Sequence, residues 1–220
     1  MDWQMYQVYM DKIIMPAFFT TLKMLAISIA LGTILGFLLA MVLTLTDEKG
    51  LYPQKWVYGI LDFIVNTIRS FPFIILMVAI VPFTRLIAGT SIGERAAIVP
   101  LTIVAAPFIA RVIDNSMKEV DRQLIEAARS FGASNLQIIF RVILVEAVPS
   151  IISGLTLASV SVLSATAMAG AIGAGGLGAV ALTYGYQNFN NEIMFITVVM
   201  LIVLVQIIQV SGDMIYRRLK

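Results

Sequence analysis

The side chains that most often do chemistry in proteins are missing from this sequence. It has 220 residues, no cysteine and no histidine. A disulfide framework, a thiolate or imidazole metal site, a cysteine nucleophile and a histidine base are all excluded. No G-x-x-x-x-G-K-[ST] run occurs, so there is no recognisable Walker A cradle for nucleotide phosphates, and any nucleotide hydrolysis must come from a partner. Gly173-Ala-Gly175-Gly176-Leu-Gly178 matches G-x-G-x-x-G. A dinucleotide site would need a strand before it, a helix after it and an acidic residue about 20 positions on. Here a long apolar stretch precedes the run and no strand pattern does. Two readings remain: a tight turn on the outer side of a membrane, or a close-packed element lining a path through it. The net charge of +2 is small and scattered, unlike the basic stripe of a nucleic-acid binder.

The elements that would position any site are membrane helices. Hydrophobic residues form 60% of the chain and charged ones 13%, against about 45–50% and 25% in ordinary globular proteins. So few charges cannot coat a soluble domain of this size. Met1–Met15 carries Asp2 and Asp11 and lacks the basic start and small-residue cleavage site of a secretory signal. It reads as an amphipathic lead-in with Trp3, Tyr6 and Tyr9 at the membrane interface. The uncharged run Met24–Leu45 predicts the first span, and Thr46–Gln54 the loop that ends it. Second and third spans are predicted near Trp56–Phe83 and Arg95–Ser116, with Pro72, Pro100 and Pro107 as kinks and a polar loop, Thr84–Glu94, between them. The region from Glu146 to Glu192 could hold two spans, or one span and a loop. Ile193–Gly212 is the last span.

Basic residues decide between five spans and six. Five spans put Lys49, Lys55, Lys118, Arg122, Arg129, Arg141, Arg217, Arg218 and Lys220 on one side, and Lys12, Arg85 and Arg95 on the other. A sixth span through Gly170–Gln187 would move the tail across and abolish the asymmetry. The expected fold is therefore an all-α polytopic bundle of five spans, with the N-terminus outside and the C-terminus cytoplasmic. All 220 residues form a single transmembrane domain. Lys23, Asp62, Arg69, Arg111, Asp114 and Glu146 lie in or near spans, where each needs a partner, a pore or an end position. Asp114 could pair with Arg111 one turn away. Gly32 and Gly36 form a G-x-x-x-G that reads as helix packing within the chain more readily than as a dimer face.

The most informative segment is EVDRQLIEAARSFGASNLQIIFRVILVEAVPS, residues 119–150. Asp121 reads as an N-cap, and Leu124, Ala128 and Phe131 share one face of a short helix. Gly132 stops that helix as a C′ glycine does. Ser134-x-x-Gln137 is a capping box that opens a second helix leading into the membrane. Two short helices with a glycine elbow suggest a shaped docking knob.

Glu126-Ala127-Ala128, three residues, Gly132, nine residues and Val142-Ile143-Leu144 resemble the EAA loop of ATP-binding-cassette importer permeases, EAA-x3-G-x9-I-x-L-P. Val142 stands for the isoleucine and Val145 for the proline, with Pro149 four residues later. Residues 69–93 (RSFPFIILMVAIVPFTRLIAGTSIG), 106–111 (APFIAR) and 170–178 (GAIGAGGLG) extend the resemblance to bacterial methionine-importer permeases. The resemblance implies a type I importer permease fold, and a homodimer in the bacterial cytoplasmic membrane, in contact with lipid. It also implies a cytoplasmic ABC ATPase dimer that holds ATP and Mg, and an extracytoplasmic methionine-binding protein. Residues 119–141 would be the cytoplasmic coupling segment, with Glu126, Ala127, Ala128 and Gly132 contacting the ATPase. The chain would itself be no enzyme. It would pass an amino acid, methionine by expectation, by alternating access. Ser161, Ser164, Thr166 and Met168 on the fourth span are candidate path residues, although helix packing accounts for most of them as well. An ion-coupled secondary transporter or channel is the rival reading. It would need coupling-ion ligands near the midplane, whereas the charges here favour span ends.

Overall fold

The computed structural model describes residues 7–220, and among them the regular structure is entirely helical. Trp3 and Tyr6 of the expected lead-in lie outside the described residues. Helix α1, Gln7–Thr46, is continuous through a π turn at Met10–Ile14, so the lead-in from Gln7 onward and the first span are one element. Backbone groups in hydrocarbon must be satisfied within the segment, which the uncharged run Met24–Leu45 does by staying helical.

The second span departs from expectation. Instead of one kinked helix there are two, α2 (Lys55–Ser70) and α3 (Phe73–Ala79), bent by 107°. Phe71 is extended (φ −74°, ψ 134°) ahead of Pro72. A proline ring disfavours helical backbone at the residue before it, so the chain breaks here. The next helix, α4 (Val81–Ala88), takes up the first half of the expected polar loop and ends on Gly89 in the left-handed region. Only Gly89–Gly93 remain irregular.

Helix α5, Glu94–Lys118, is the most enclosed of the long helices and packs against α1 and α2. Pro100 and Pro107 both lie inside it. A Cβ on Gly32 would come within 2.7 Å of the Ala105 Cβ, and one on Gly36 within 2.8 Å of the Ala106 carbonyl oxygen. The G-x-x-x-G therefore seats α1 on α5 within one chain. Leu101, Ile109 and Ile113 on α5, with Ile14, Met24 and Leu43 on α1, are among the largest fully buried side chains.

A short helix, α6 (Arg122–Ser130), leads into α7, a run of 36 residues from Asn135 to Gly170. Pro149 lies within α7, and a π turn at Ile139–Ile143 lies near its start. After a turn, α8 (Gly176–Val180) continues as a π segment, Ala181–Gln187. Twelve helical residues reach ~18 Å, well short of the ~30 Å of hydrocarbon, so Gly170–Gln187 is no sixth span. Helix α9, Asn191–Leu219, is the last long helix. Among the described residues four helices are long and apolar enough to cross a membrane, and the bent pair α2–α3 makes a fifth span if counted as one.

Candidate functional site

The elbow at α6 is built by caps. The Asp121 carboxylate accepts a hydrogen bond from the Gln123 N–H at 2.9 Å, so Asp121 is the N-cap expected from the sequence. At the other end, Ala133 N–H donates to the Ala128 carbonyl (3.1 Å) and Gly132 N–H to that of Arg129 (2.9 Å). These are the two bonds of a Schellman cap, with Gly132 at C′ and φ +81°. A Cβ at Gly132 would meet nothing within 4 Å, so backbone conformation and not space favours glycine there. Two residues later both bonds of the Ser134–Gln137 capping box are present. With its end groups satisfied on both sides, the elbow holds a defined shape.

Ile125 and Ala128 turn inward against the core, and Glu126, Ala127 and Gly132 are exposed. Leu124 and Phe131 face outward, Phe131 with 91% of its surface free. The expected shared face of Leu124, Ala128 and Phe131 is thus split. Its alanine packs down, and its two large apolar side chains stand ready for another surface. Between α6 and the Asp47–Leu51 loop lies a cavity of about 510 Å³, lined by Glu126 and by charges that include Lys118, Arg122 and Arg129.

Below the elbow a ladder of ion pairs ties three helices together. Asp114, fully buried, accepts from Arg111 at 3.3 Å, Lys118 at 3.0 Å and the Thr44 hydroxyl at 2.9 Å. Lys118 also reaches Asp47 at 2.8 Å, and Arg111 reaches Asp62 and, at 3.1 Å, the Asn66 side-chain oxygen. Burial alone would raise the pKa of Asp47. The hydrogen bond and charge of Lys118, with the Lys49 N–H, outweigh it and hold that carboxyl below its usual value. The Arg111–Asp114 and Asp114–Lys118 contacts, at i,i+3 and i,i+4 on one helix, follow from sequence spacing; Asp47 and Asp62 do not, since they meet these groups from other elements. Asp62, Asn66 and Ser70 at i, i+4, i+8 did carry a signal, a polar stripe on an otherwise apolar span.

At the other end of α7, Ser164 and Met168 line a mostly apolar groove of about 700 Å³ formed with α3, α8 and α9. Ser161 is exposed one turn earlier on the same face. Thr166 points elsewhere: it is buried, and its hydroxyl donates to the Leu163 carbonyl at 2.6 Å. The glycine-rich run is the floor of this region. A Cβ on Gly178 would lie 2.4 Å from Ala167 Cα, so α8 sits directly on α7. Leu177 N–H donates to the Thr21 hydroxyl of α1 at 2.9 Å. Gly178, Ala181 and Leu182 line the groove itself, so the run turns tightly and its end borders this apolar space.

Residues 32–220 match the family described as "Binding-protein-dependent transport system inner membrane component". The chain is 50% identical over 208 residues to the "Probable D-methionine transport system permease protein MetI" of Vibrio cholerae, covering 94% of this chain and 92% of that protein. It is 42% identical over 173 residues to the "Methionine import system permease protein MetP" of Bacillus subtilis, covering 79% and 78%. The fold superposes with a TM-score of 0.93, at 40% identity and over the full length of both chains, on a structure described as "Inward facing conformations of the MetNI methionine ABC transporter".

Proposed function

This chain belongs to the binding-protein-dependent transport system inner membrane components, and from that premise we propose how it works. It is the permease subunit of an ATP-binding-cassette importer that carries methionine across the bacterial cytoplasmic membrane by alternating access. Full-length superposition on a methionine ABC transporter subunit at 40% identity carries this reading. The permease works as a homodimer, with a separate ATPase pair on the cytoplasmic side and a methionine-binding protein outside. ATP and Mg belong to the ATPase.

The 119–141 segment faces the cytoplasm, with the N-terminus outside and the C-terminus inside. The nine-to-three distribution of basic residues supports this orientation. Glu126, Ala127 and Gly132 form the exposed part of the ATPase contact, and Ala128 seats that contact on the core beneath it. Exposed Leu124 and Phe131 supply apolar surface beside them, and the double cap keeps the elbow rigid enough to pass on a push. That push enters α7 at Ser134, and α7 runs unbroken to the groove at Ser164 and Met168. Small polar groups and a thioether there suit an unbranched apolar side chain, and with no fixed charge the groove suits a net anion or cation poorly.

The test is reconstitution in liposomes with the ATPase and binding protein, measuring uptake of methionine, leucine, glutamate and lysine. Methionine uptake should dominate and vanish without ATP. Preference for glutamate or lysine would refute the substrate while leaving the permease role standing.

A further inference from the structure

Helix α2 shows three faces. Val65 is buried towards the core, and Ile60 and Ile64 are exposed on the apolar side. Between these faces Asp62, Asn66, Arg69 and Ser70 form a polar stripe at i, i+4, i+7 and i+8. The stripe climbs from the cytoplasmic end at Lys55 to the break at Phe71–Pro72. At 1.5 Å per residue, Asp62 sits ~10 Å and Arg69 ~20 Å above that end. Ionisable groups at such depth face a bundle interior or a water-filled cavity, not lipid. Asp62 is matched: it pairs with Arg111, which also binds Asp114. Arg69 is not matched. Among the described residues it has no carboxylate within salt-bridge distance; its guanidinium lies 5.8 Å from the Phe108 ring centroid, and the side chain stays exposed.

We propose that this stripe lines the translocation path from its cytoplasmic end to just past the midplane, and that Arg69 meets the α-carboxylate of the amino acid in transit. The inference rests on the amino-acid importer reading above. It assigns path residues on the second span, where the groove at Ser164 and Met168 accounts only for the outer half. A guanidinium over an aromatic face is held by cation–π attraction without using its N–H donors on another side chain, so they remain for a planar, two-oxygen partner. The Asp62–Arg111–Asp114 network keeps the rest of the stripe from competing, because its cation is already shared between two carboxylates.

The absence of native cysteine permits a clean test on the reconstituted complex. Single cysteines at Asn66→Cys, Ser70→Cys, Ile60→Cys and Ile64→Cys are exposed from the ATPase side to anionic and cationic methanethiosulfonates that do not cross lipid. The two stripe positions should react and the two isoleucine positions should not. At Ser70→Cys the anionic reagent should be favoured, and Arg69→Gln should lower the anion-to-cation rate ratio about five-fold, as one unit charge ~8 Å away in water would. Arg69→Lys should preserve the ratio. Undiminished labelling of Asn66→Cys in the Arg69→Gln background shows that the fold survives. Methionine uptake should be lost in Arg69→Gln and partly kept in Arg69→Lys. Silence at Ser70→Cys, an unchanged ratio or normal uptake by Arg69→Gln overturns the proposal. Labelling needs no transport, so failure of the wild type to import methionine would sink the substrate reading separately.

Discussion

At Gly132 the proposed coupling role rests on one backbone angle. Its φ of +81° with open space around the missing Cβ means that substitutions there act through the left-handed conformation alone. The cost for an ordinary L residue is ~1–2 kcal/mol, less for asparagine. Gly132→Asn should therefore be mild, Gly132→Ala intermediate and Gly132→Val worst, since branching at Cβ adds to the strain. Co-purified ATPase per permease, and methionine imported per ATP hydrolysed, should fall in that order. An equal effect of all three would mean that the position acts by side-chain contact. The caps Asp121, Gly132 and Ser134 were legible because they are local rules acting within a few residues. Arg111 and Asp114 were legible for the same reason. Lys118, four residues after Asp114 on the same helix, falls under the same rule; Asp47 and Asp62 do not, because their partners lie on another helix, and no spacing rule reaches across a bundle. Thr166 looked like a path residue by composition, yet it faces inward and satisfies its hydroxyl on its own helix.

At the scale of elements, the long apolar helices were readable from hydropathy, while the break in the second span was not. Proline kinks many membrane helices without ending them, as Pro149 sits within α7 here. What differs at Phe71–Pro72 is the extended backbone of the preceding residue, and sequence alone does not say which outcome tertiary contacts select. The seat of α1 on α5 is a sharper matter. A side chain at Gly36 would drive into the Ala106 carbonyl and Ile109, neither of which can swing away. Gly36→Leu should cost at least the ~1–3 kcal/mol typical of overpacking, seen as a lower melting temperature in detergent. Leu38→Ile, exposed on the same helix, should be neutral. If both variants melted alike, the close approach would carry no energetic weight.

For the whole molecule, orientation is the property on which every assigned side depends. Single cysteines at positions 49, 133 and 219 should label only from the cytoplasmic side, and one at position 89 only from outside; external labelling at 219 would end the five-span arrangement. Five spans is the reading that the basic-residue asymmetry favours, and the structure agrees with it when the bent pair α2–α3 is counted as one span. The groove was not legible, being made by α3, α8 and α9 closing on α7 from distant parts of the chain. That same helix α7 joins the elbow to the groove without interruption. A connection of this kind has no preferred direction. If the groove holds the transported amino acid as proposed, whatever factor nucleotide binding at the ATPase imposes on its affinity, the amino acid imposes on nucleotide affinity in return. On that proposal the permease would report external supply to the ATPase as much as it is worked by it, since binding reciprocity forbids one role without the other.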